Sequence, residues 1–444
     1  MSAALPDPVA TTSVPTRRLL ALTASAFVVL AAEPTYLLID TAVVGHLGPR
    51  SLAALGLAVV VVSLLLVAGN FVEYGTTGRV ARAYGAGRTD LAYAEGVQAS
   101  WLGLAVGVGL AGLGEIFAGP LTHALAGSAP QVQHAAVAWL RVGLIGLPGV
   151  LLVLAGNGWM RGVQQTRQPV VFVLTANAVS AALCPVLVYP AGLGLRGSAI
   201  ANVVGQAVGG ALFLGALQGP KRLRWPMIRS QLTVGRDLVV RSIGFEASFL
   251  VTAAVAARMG TAQLAAHQVG MQLDEFTSLL LDSVAIAAQS VVGAALGSGD
   301  PAAARRVTWQ IARWGGWAGV AFAAGYAALW WPIPHLFSPS PLVQHQMHVM
   351  WPWFCALWLP AGVLFALDGV LIGAGDVRFM ALLTLVAGFG AFVPVDLAAL
   401  HYNWGIGGVW AGLLSFYLVR LAGMVARTRG TRWQVLGVAT QEDR

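Results

Sequence analysis

Charge is scarce in this sequence. Asp, Glu, Lys and Arg make up 10% of its residues against 57% hydrophobic ones, where a soluble domain carries about a quarter charged residues. A soluble fold of that composition would precipitate. A stretch free of long apolar runs is missing too. Segments of about 20 apolar residues, the length that spans a bilayer, recur from residue 19 nearly to residue 427 and leave no room for a separate soluble domain. Cysteine is nearly absent: Cys184 and Cys355 both lie inside apolar segments, which excludes a disulfide framework and a Cys-based metal site. Basic residues outnumber acidic ones by 26 to 18. They are nowhere gathered with interleaved aromatics as a nucleic-acid surface requires, so no nucleic-acid partner is expected.

Catalytic patterns are lacking as well. No phosphate loop or nucleophile constellation occurs, so an enzyme is not expected. Gly192, Gly194 and Gly197 satisfy G-x-G-x-x-G, but they fall between membrane helices and not after a strand, which reads as a turn and not a dinucleotide site. His345 and His348 stand one helical turn apart without a third ligand, so a solvated pair is expected and no metal. No cofactor is called for.

What is present is a regular series of apolar runs. Arg17 and Arg18 precede a run that passes Glu33 and continues to Val44 without a cleavage pattern, which predicts a retained first transmembrane helix and not a signal peptide. Breaks at Gly, Pro and Arg then give helices near 18–46, 53–78, 92–117, 133–158, 168–190 and 197–218. A second set lies near 235–258, 264–294, 306–331, 345–373, 377–400 and 405–427. Arginine distribution supports that count. Arg79, Arg82 and Arg88 follow helix 2, and Arg161 and Arg167 follow helix 4. Lys221, Arg222, Arg224, Arg229 and Arg236 follow helix 6, and Arg305, Arg306 and Arg313 follow helix 8. The opposite loops hold only Arg50, Arg196 and Arg258. Both termini are therefore expected in the cytoplasm. The organisation read from the chain is a tail at 1–17, a first lobe at 18–218, a basic cytoplasmic linker at 219–234, a second lobe at 235–427 and a tail at 428–444.

A shift of 212 residues carries Gly48, Leu52, Ala53, Ala54, Gly85 and Gly87 onto Gly260, Leu264, Ala265, Ala266, Gly297 and Gly299. The chain therefore reads as a duplication of a six-helix half. An even number of helices gives both halves the same orientation, related by an axis along the membrane normal with a cleft between them. The expected fold is an all-α integral membrane protein of twelve transmembrane helices in two pseudo-symmetric six-helix lobes.

A carboxylate at mid-membrane costs on the order of 3 kcal/mol on insertion scales, so intramembrane acids are functional candidates. Glu33 and Asp40 on helix 1 are seven residues apart, hence within about 20° on the helix surface and roughly 10 Å along it. Pro34 lies between them and removes a backbone donor, offering a bend beside the acids. Protonating Asp40 would remove a desolvated charge and could reset that bend, a cation-driven switch. A packing role, or contact with water near the outer loop, is the alternative for Asp40. Asn157 in helix 4, Asn177 and Ser180 in helix 5, and Asn202 and Gln206 in helix 6 are further polar groups. Asn177, Ser180 and Cys184 form one stripe. Each amide could equally serve as helix glue. In the second half Asp274, Glu275, Asp282 and Gln289 lie on helix 8 and Asp368 on helix 10. Any of these acids could attract a cationic substrate, although Asp274 and Glu275 could also sit in water at a helix end.

Four segments carry a family likeness: IDTAVVGHLG at 39–48, TTGRVARAYGAG at 76–87, the pattern G-x-x-R-G-x-Q-x-T-x-x-P at 158–169, and LDGVLIGAGD at 367–376. Together, over nearly the full length, they resemble the multidrug and toxic compound extrusion (MATE) family, its DinF-like branch in particular. The resemblance implies two six-helix lobes opening alternately inward and outward, and efflux of amphipathic, often cationic compounds against entry of protons or sodium. It implies that Asp40 is the coupling carboxylate, Pro34 the helix 1 hinge, and Asn157 and Asn177 polar partners. Relatives often place an aspartate further along helix 5, where this sequence has Cys184. Glu33 could compensate, which completes a cation-coupling set of Asp40, Glu33, Asn157, Asn177, Ser180 and Cys184. Asn202, Gln206, Asp282, Gln289 and Asp368 are the substrate-binding candidates. A monomer in a bacterial-type inner membrane is expected, with the coupling ion H+ or Na+. Proton coupling is favoured because one or two carboxylates with amides suit protonation, while sodium needs several oxygens. A flippase for lipid-linked precursors is the competing transporter reading. It would line its cleft with basic residues, and only Arg141 is read as lying inside a helix. A receptor or scaffold would need no buried acid at a proline hinge.

Overall fold

The computed structural model describes residues 15–126, 129–218 and 220–438. Of the expected tails and linker, residues 1–14, 439–444 and 219 lie outside the described residues. A bilayer offers no partner for backbone polar groups, so a spanning segment must pair them within itself. Accordingly, all regular structure among the described residues is helical. In chain order the helices are α1 (Thr16–Gly45), α2 (Pro49–Val67), α3 (Phe71–Gly85), α4 (Thr89–Ala126), α5 (Pro130–Gly143), α6 (Leu147–Gly162), α7 (Arg167–Val188) and α8 (Leu195–Ala216). The second half continues with α9 (Trp225–Met259), α10 (Thr261–Gly297), α11 (Pro301–Ala328), the short α12 (Pro332–Phe337), α13 (Pro341–Gly373), α14 (Val377–Ala387), α15 (Val393–His401) and α16 (Gly405–Arg429). By internal packing the chain divides into two units, whose main parts are Leu20–Gly235 and Arg236–Arg444.

Twelve apolar runs were expected and each corresponds to helix here. Eleven of the spans are both long and apolar enough to cross a membrane. The ninth, α11, is 28 residues long but carries Arg305, Arg306 and Arg313 on a body rich in Ala, Gly and Trp, which lowers its hydropathy. Three runs read as single helices are interrupted. The second breaks into α2 and α3 around Gly69. The fourth passes through a 3-10 turn at Leu144–Gly146 ahead of Pro148, and the eleventh contains a π-helical segment at Gly388–Phe392. The seventh starts at Trp225, so most of the stretch read as a linker at 219–234 is the first part of α9. Its turn residues are too few to stop a helix there.

Helix starts follow local chemistry. Gly48 and Gly260 precede α2 and α10 with φ of 109° and 137°, a conformation that favours glycine. Asp300 caps α11, accepting from the Ala303 backbone N–H at 2.8 Å, and Pro301 occupies the first helical position. The glycines at 192 and 194 take φ of 66° and 52° in the turn between α7 and α8.

Each unit has its own core. In the first, Val80, Tyr84, Trp159, Met160 and Phe213 form one cluster, and Val44, Leu55, Val61, Trp139, Leu140 and Leu147 another. In the second, Trp351, Phe354, Trp358, Trp410 and Phe416 are almost fully buried. The packing repeats the duplication seen in sequence. Gly158 and Gly162 of α6 seat against the Glu73 and Thr77 carbonyls of α3, and Gly369 and Gly373 of α13 seat against the Ala285 and Gln289 carbonyls of α10. A side chain at Gly158, Gly369 or Gly373 would collide with backbone, and one at Gly162 with Val80. Gly158→Ala and Gly369→Ala are each expected to destabilise by about 1–3 kcal/mol, the usual cost of overpacking. Gly109→Ala in α4, with open space at its Cβ position, should be neutral. Reversible unfolding of the three variants in mixed micelles checks this.

Candidate functional site

Asp40 lies near the C-terminal end of α1, fully enclosed at 1% exposure. The Cys184 thiol of α7 donates to its Oδ1 at 3.2 Å, and the Ser198 hydroxyl of α8 lies beside the same carboxyl. Ser198 in turn accepts from Trp139 Nε1 of α5 at 3.2 Å. Side chains of α7 and α8 therefore meet the carboxyl of α1, α5 joins through Ser198, and among the described residues no ion pair reaches Asp40. The end of α1 is held by the Tyr189 hydroxyl, which donates to the Val43 carbonyl at 2.7 Å. One turn before Asp40, Tyr36 is buried with its hydroxyl toward Asn202 but without closing a hydrogen bond.

The other sequence candidates in this unit divide. Of the stripe Asn177, Ser180 and Cys184, only Cys184 reaches Asp40. Ser180 packs on Gly205 of α8, where any side chain would displace its hydroxyl. Asn157 is buried with Oδ1 unpartnered, and half-buried Asn177 leaves Nδ2 unpartnered. Two orphaned amide atoms mark polar capacity that the protein itself does not use. Gln206 is buried. Glu33 and Pro34 are exposed, and at roughly 10 Å along the helix axis from Asp40 Glu33 stands outside the hydrogen-bonded group.

In the second unit the substrate candidates require correction. Asp368 is not open to a cation: its Oδ2 accepts from Arg241 at 2.5 Å and its Oδ1 from Arg420 at 2.6 Å. The Arg420 guanidinium also stacks over Phe245 at 4.6 Å and Phe416 at 5.3 Å. Asp282, half-buried, adds to the acidic field around Arg420. Both arginines lie inside helices, α9 and α16, so Arg141 is not alone there. Arg141 is itself largely exposed, 3.3 Å from Glu115. Sequence reading misses these pairs because their members are 127 and 52 residues apart. Asp274 is buried and Glu275 exposed on α10, and Gln289 is buried. Asp396, fully buried on α15, is absent from the sequence candidates. An acid within an apolar run is the signal that could have found it.

Against these positions, comparison with known proteins is decisive. The MatE family model matches the chain twice, over residues 25–186 and 238–397. The chain belongs to the MatE family. It is a membrane transporter of the multidrug and toxic compound extrusion group. It is 30% identical to "Protein DETOXIFICATION 44, chloroplastic" of Arabidopsis thaliana, with 93% of this chain and 82% of the relative covered. To "DNA damage-inducible protein F" of Escherichia coli K12 it is 28% identical over 86% of this chain and 85% of the relative. The crystal structure of a MATE protein in the bent conformation superimposes with a TM-score of 0.86 at 19% identity, covering 96% of both chains.

In this MatE transporter the signature segments are ties between helix ends. Arg79 of TTGRVARAYGAG donates to both oxygens of Glu95 on α4, at 2.9 and 2.6 Å, and to Ser230 on α9 at 2.6 Å. Gln231 adds a bond to Glu95 at 2.9 Å. Arg161 of G-x-x-R-G pairs with Glu73 on α3, and Asp376 of LDGVLIGAGD accepts from Arg427 at 2.6 Å. Arg161 and Glu73 are both buried, and leaving one of such a pair alone costs about 3–5 kcal/mol, while an apolar replacement of both is tolerated. Glu73→Met and Arg161→Met should each lose stability on that scale, and the two together should recover most of it, as read by a double-mutant unfolding cycle.

Proposed function

We propose that this transporter is a secondary active antiporter that exports amphipathic, often cationic compounds in exchange for protons by alternating access. The observation that carries this reading is the enclosure of Asp40 among a thiol, a hydroxyl and apolar side chains. An ionised carboxylate held there, with no cation beside it, is costly. Binding a proton or a cationic substrate relieves that cost, and the two relieve it in competition. A carboxyl that must be neutralised by one or the other exchanges them, which is the thermodynamic core of antiport. Cys184 and Ser198 orient the carboxyl, while the orphaned amides of Asn157 and Asn177 and the groups Asn202 and Gln206 offer hydrogen bonds to a bound compound. Pro34, six residues before Asp40, supplies a point at which α1 can bend when the charge state changes.

Proton is favoured over sodium on donor chemistry. A hard monovalent cation seeks several oxygens, and a thiol is a poor ligand for it. The alternation of arginine-rich and arginine-poor loops supports cytoplasmic termini in a bacterial-type inner membrane, with the chain acting as a monomer. The flippase reading loses force because Arg241 and Arg420 of the second unit are already engaged by Asp368 and are not free for a pyrophosphate.

Efflux of a fluorescent lipophilic cation from proteoliposomes, under imposed proton or sodium gradients in turn, tests the reading. The wild type should export under a proton gradient alone, and a folded Asp40→Asn variant should lose gradient-driven export. Undiminished export by Asp40→Asn would place coupling elsewhere. A response to sodium alone would reverse the choice of ion.

A further inference from the structure

The duplication relates more than packing glycines. The 212-residue shift that carries Gly48 onto Gly260 also carries Asp40 onto Thr252 and Cys184 onto Asp396. In the first unit Cys184 of α7 is bonded to Asp40 of α1. In the second, Thr252 of α9 is bonded to Asp396 of α15, and both pairs span 144 residues. All four side chains are at most 1% exposed. The same two positions of the repeated half therefore hold a buried polar pair in each unit, with the carboxyl on the first helix in one and on the fifth in the other. We propose that Asp396, hydrogen-bonded to Thr252, is a second proton-binding site, the repeat-related counterpart of the Asp40–Cys184 pair.

Backbone geometry explains how the acid comes into register. At the start of the fifth helix the two halves align with a shift of 211, Arg167 on Arg378, and they do so again after it, Gly194 on Gly405. The π-helical segment Gly388–Phe392 accommodates one extra residue, turning the remainder of the helix by roughly 100°. Asp396, and not its neighbour, is thereby presented to Thr252.

The count of hydrogens then assigns the proton. Thr252 Oγ1 lies 3.0 Å from the Ser248 carbonyl and 2.5 Å from Asp396 Oδ2. A hydroxyl has one hydrogen. If it goes to the Ser248 carbonyl, which can only accept, the short contact to Oδ2 needs a hydrogen from Asp396, so the side chain is a neutral acid. If Asp396 is ionised, Thr252 must turn its hydrogen to Oδ2, and the carboxylate keeps a single hydrogen bond. Its Oδ1 has no partner and faces Gly412 of α16, where a Cβ would press on it. Among the described residues no ion pair reaches Asp396, and its side-chain hydrogen bond is to the neutral Thr252 hydroxyl. On α9, Glu246 is exposed and six residues from Thr252, roughly 9 Å along the axis. On α16, Arg420 is eight residues from Gly412, roughly 12 Å along it. Thr384 on α14 is neutral, and His401 on α15 itself is exposed. Two oxygens and a hydroxyl make a poor cage for sodium, so the ligand of this site is a proton.

Infrared difference spectroscopy of the full-length protein in liposomes, stepped through pH, tests the proposal by reading protonated carboxyl groups directly. It does not depend on export, so it can fail or succeed apart from the antiport reading. Asp396→Asn should remove one protonated-carboxyl band, and Thr252→Val should shift that same band by removing its hydrogen-bond partner. Asp40→Asn should remove a different band. Moving the acid, Thr252→Asp with Asp396→Cys, should restore a protonated-carboxyl band. A protonated-carboxyl region unchanged in both Asp396→Asn and Thr252→Val, with wild-type thermal unfolding, would overturn the proposal. If Asp396→Asn does not fold, the presence or absence of the Thr252→Val shift decides it.

Discussion

A bilayer interior contains no water to solvate a charge, so each ionised group placed there must be matched by another or be neutralised by a proton. This constraint sorts the polar residues of the chain into two kinds. Arg79 with Glu95, Arg161 with Glu73, Arg427 with Asp376, and Arg241 and Arg420 with Asp368 are matched pairs or triads. They fasten helices to one another. Asp40 and Asp396 are of the other kind, enclosed carboxyls with only a thiol or a hydroxyl as bonded neighbours. Matched charges are structural because changing their ionisation breaks a tie. In the proposed mechanism, enclosed carboxyls without a countercharge take up and release a cation without dismantling the fold.

Duplication gives the same skeleton twice, and divergence has redistributed the chemistry on it. Gly158 and Gly369 keep the same backbone approach, while Glu73 and Arg161, a buried pair in the first unit, correspond to apolar positions in the second. Conversely, the position of Asn157 in the first unit is that of Asp368 in the second, where two arginines surround it. The first unit keeps orphaned amide atoms on Asn157 and Asn177.

Much of this was legible in the sequence. Apolar runs of spanning length and alternating arginines located the helices, and one offset revealed the repeat. Hydropathy says nothing about backbone irregularity, however, so the breaks near Gly69 and Leu144 and the π-helical segment of the eleventh run were invisible. Partnership between residues far apart in sequence was equally hidden. Asp368 looked like a lone acid because Arg241 and Arg420 lie on other helices. Helical periodicity put Glu33 on the face of Asp40, but periodicity does not say where neighbouring helices stop covering that face, and Glu33 is exposed. The resemblance put Asp40 and Cys184 in one candidate set, and the structure supplies the contact between them, 3.2 Å.

Competition between a substrate cation and a proton for one enclosed carboxyl is the heart of the proposed mechanism. Its most direct measurement is the number of protons released when a lipophilic cation is added to the purified protein in weakly buffered detergent solution. Proton release by the wild type, reduced in Asp40→Asn at equal substrate occupancy, is the expected result. Equal release by the two proteins, or binding without any release, would contradict it.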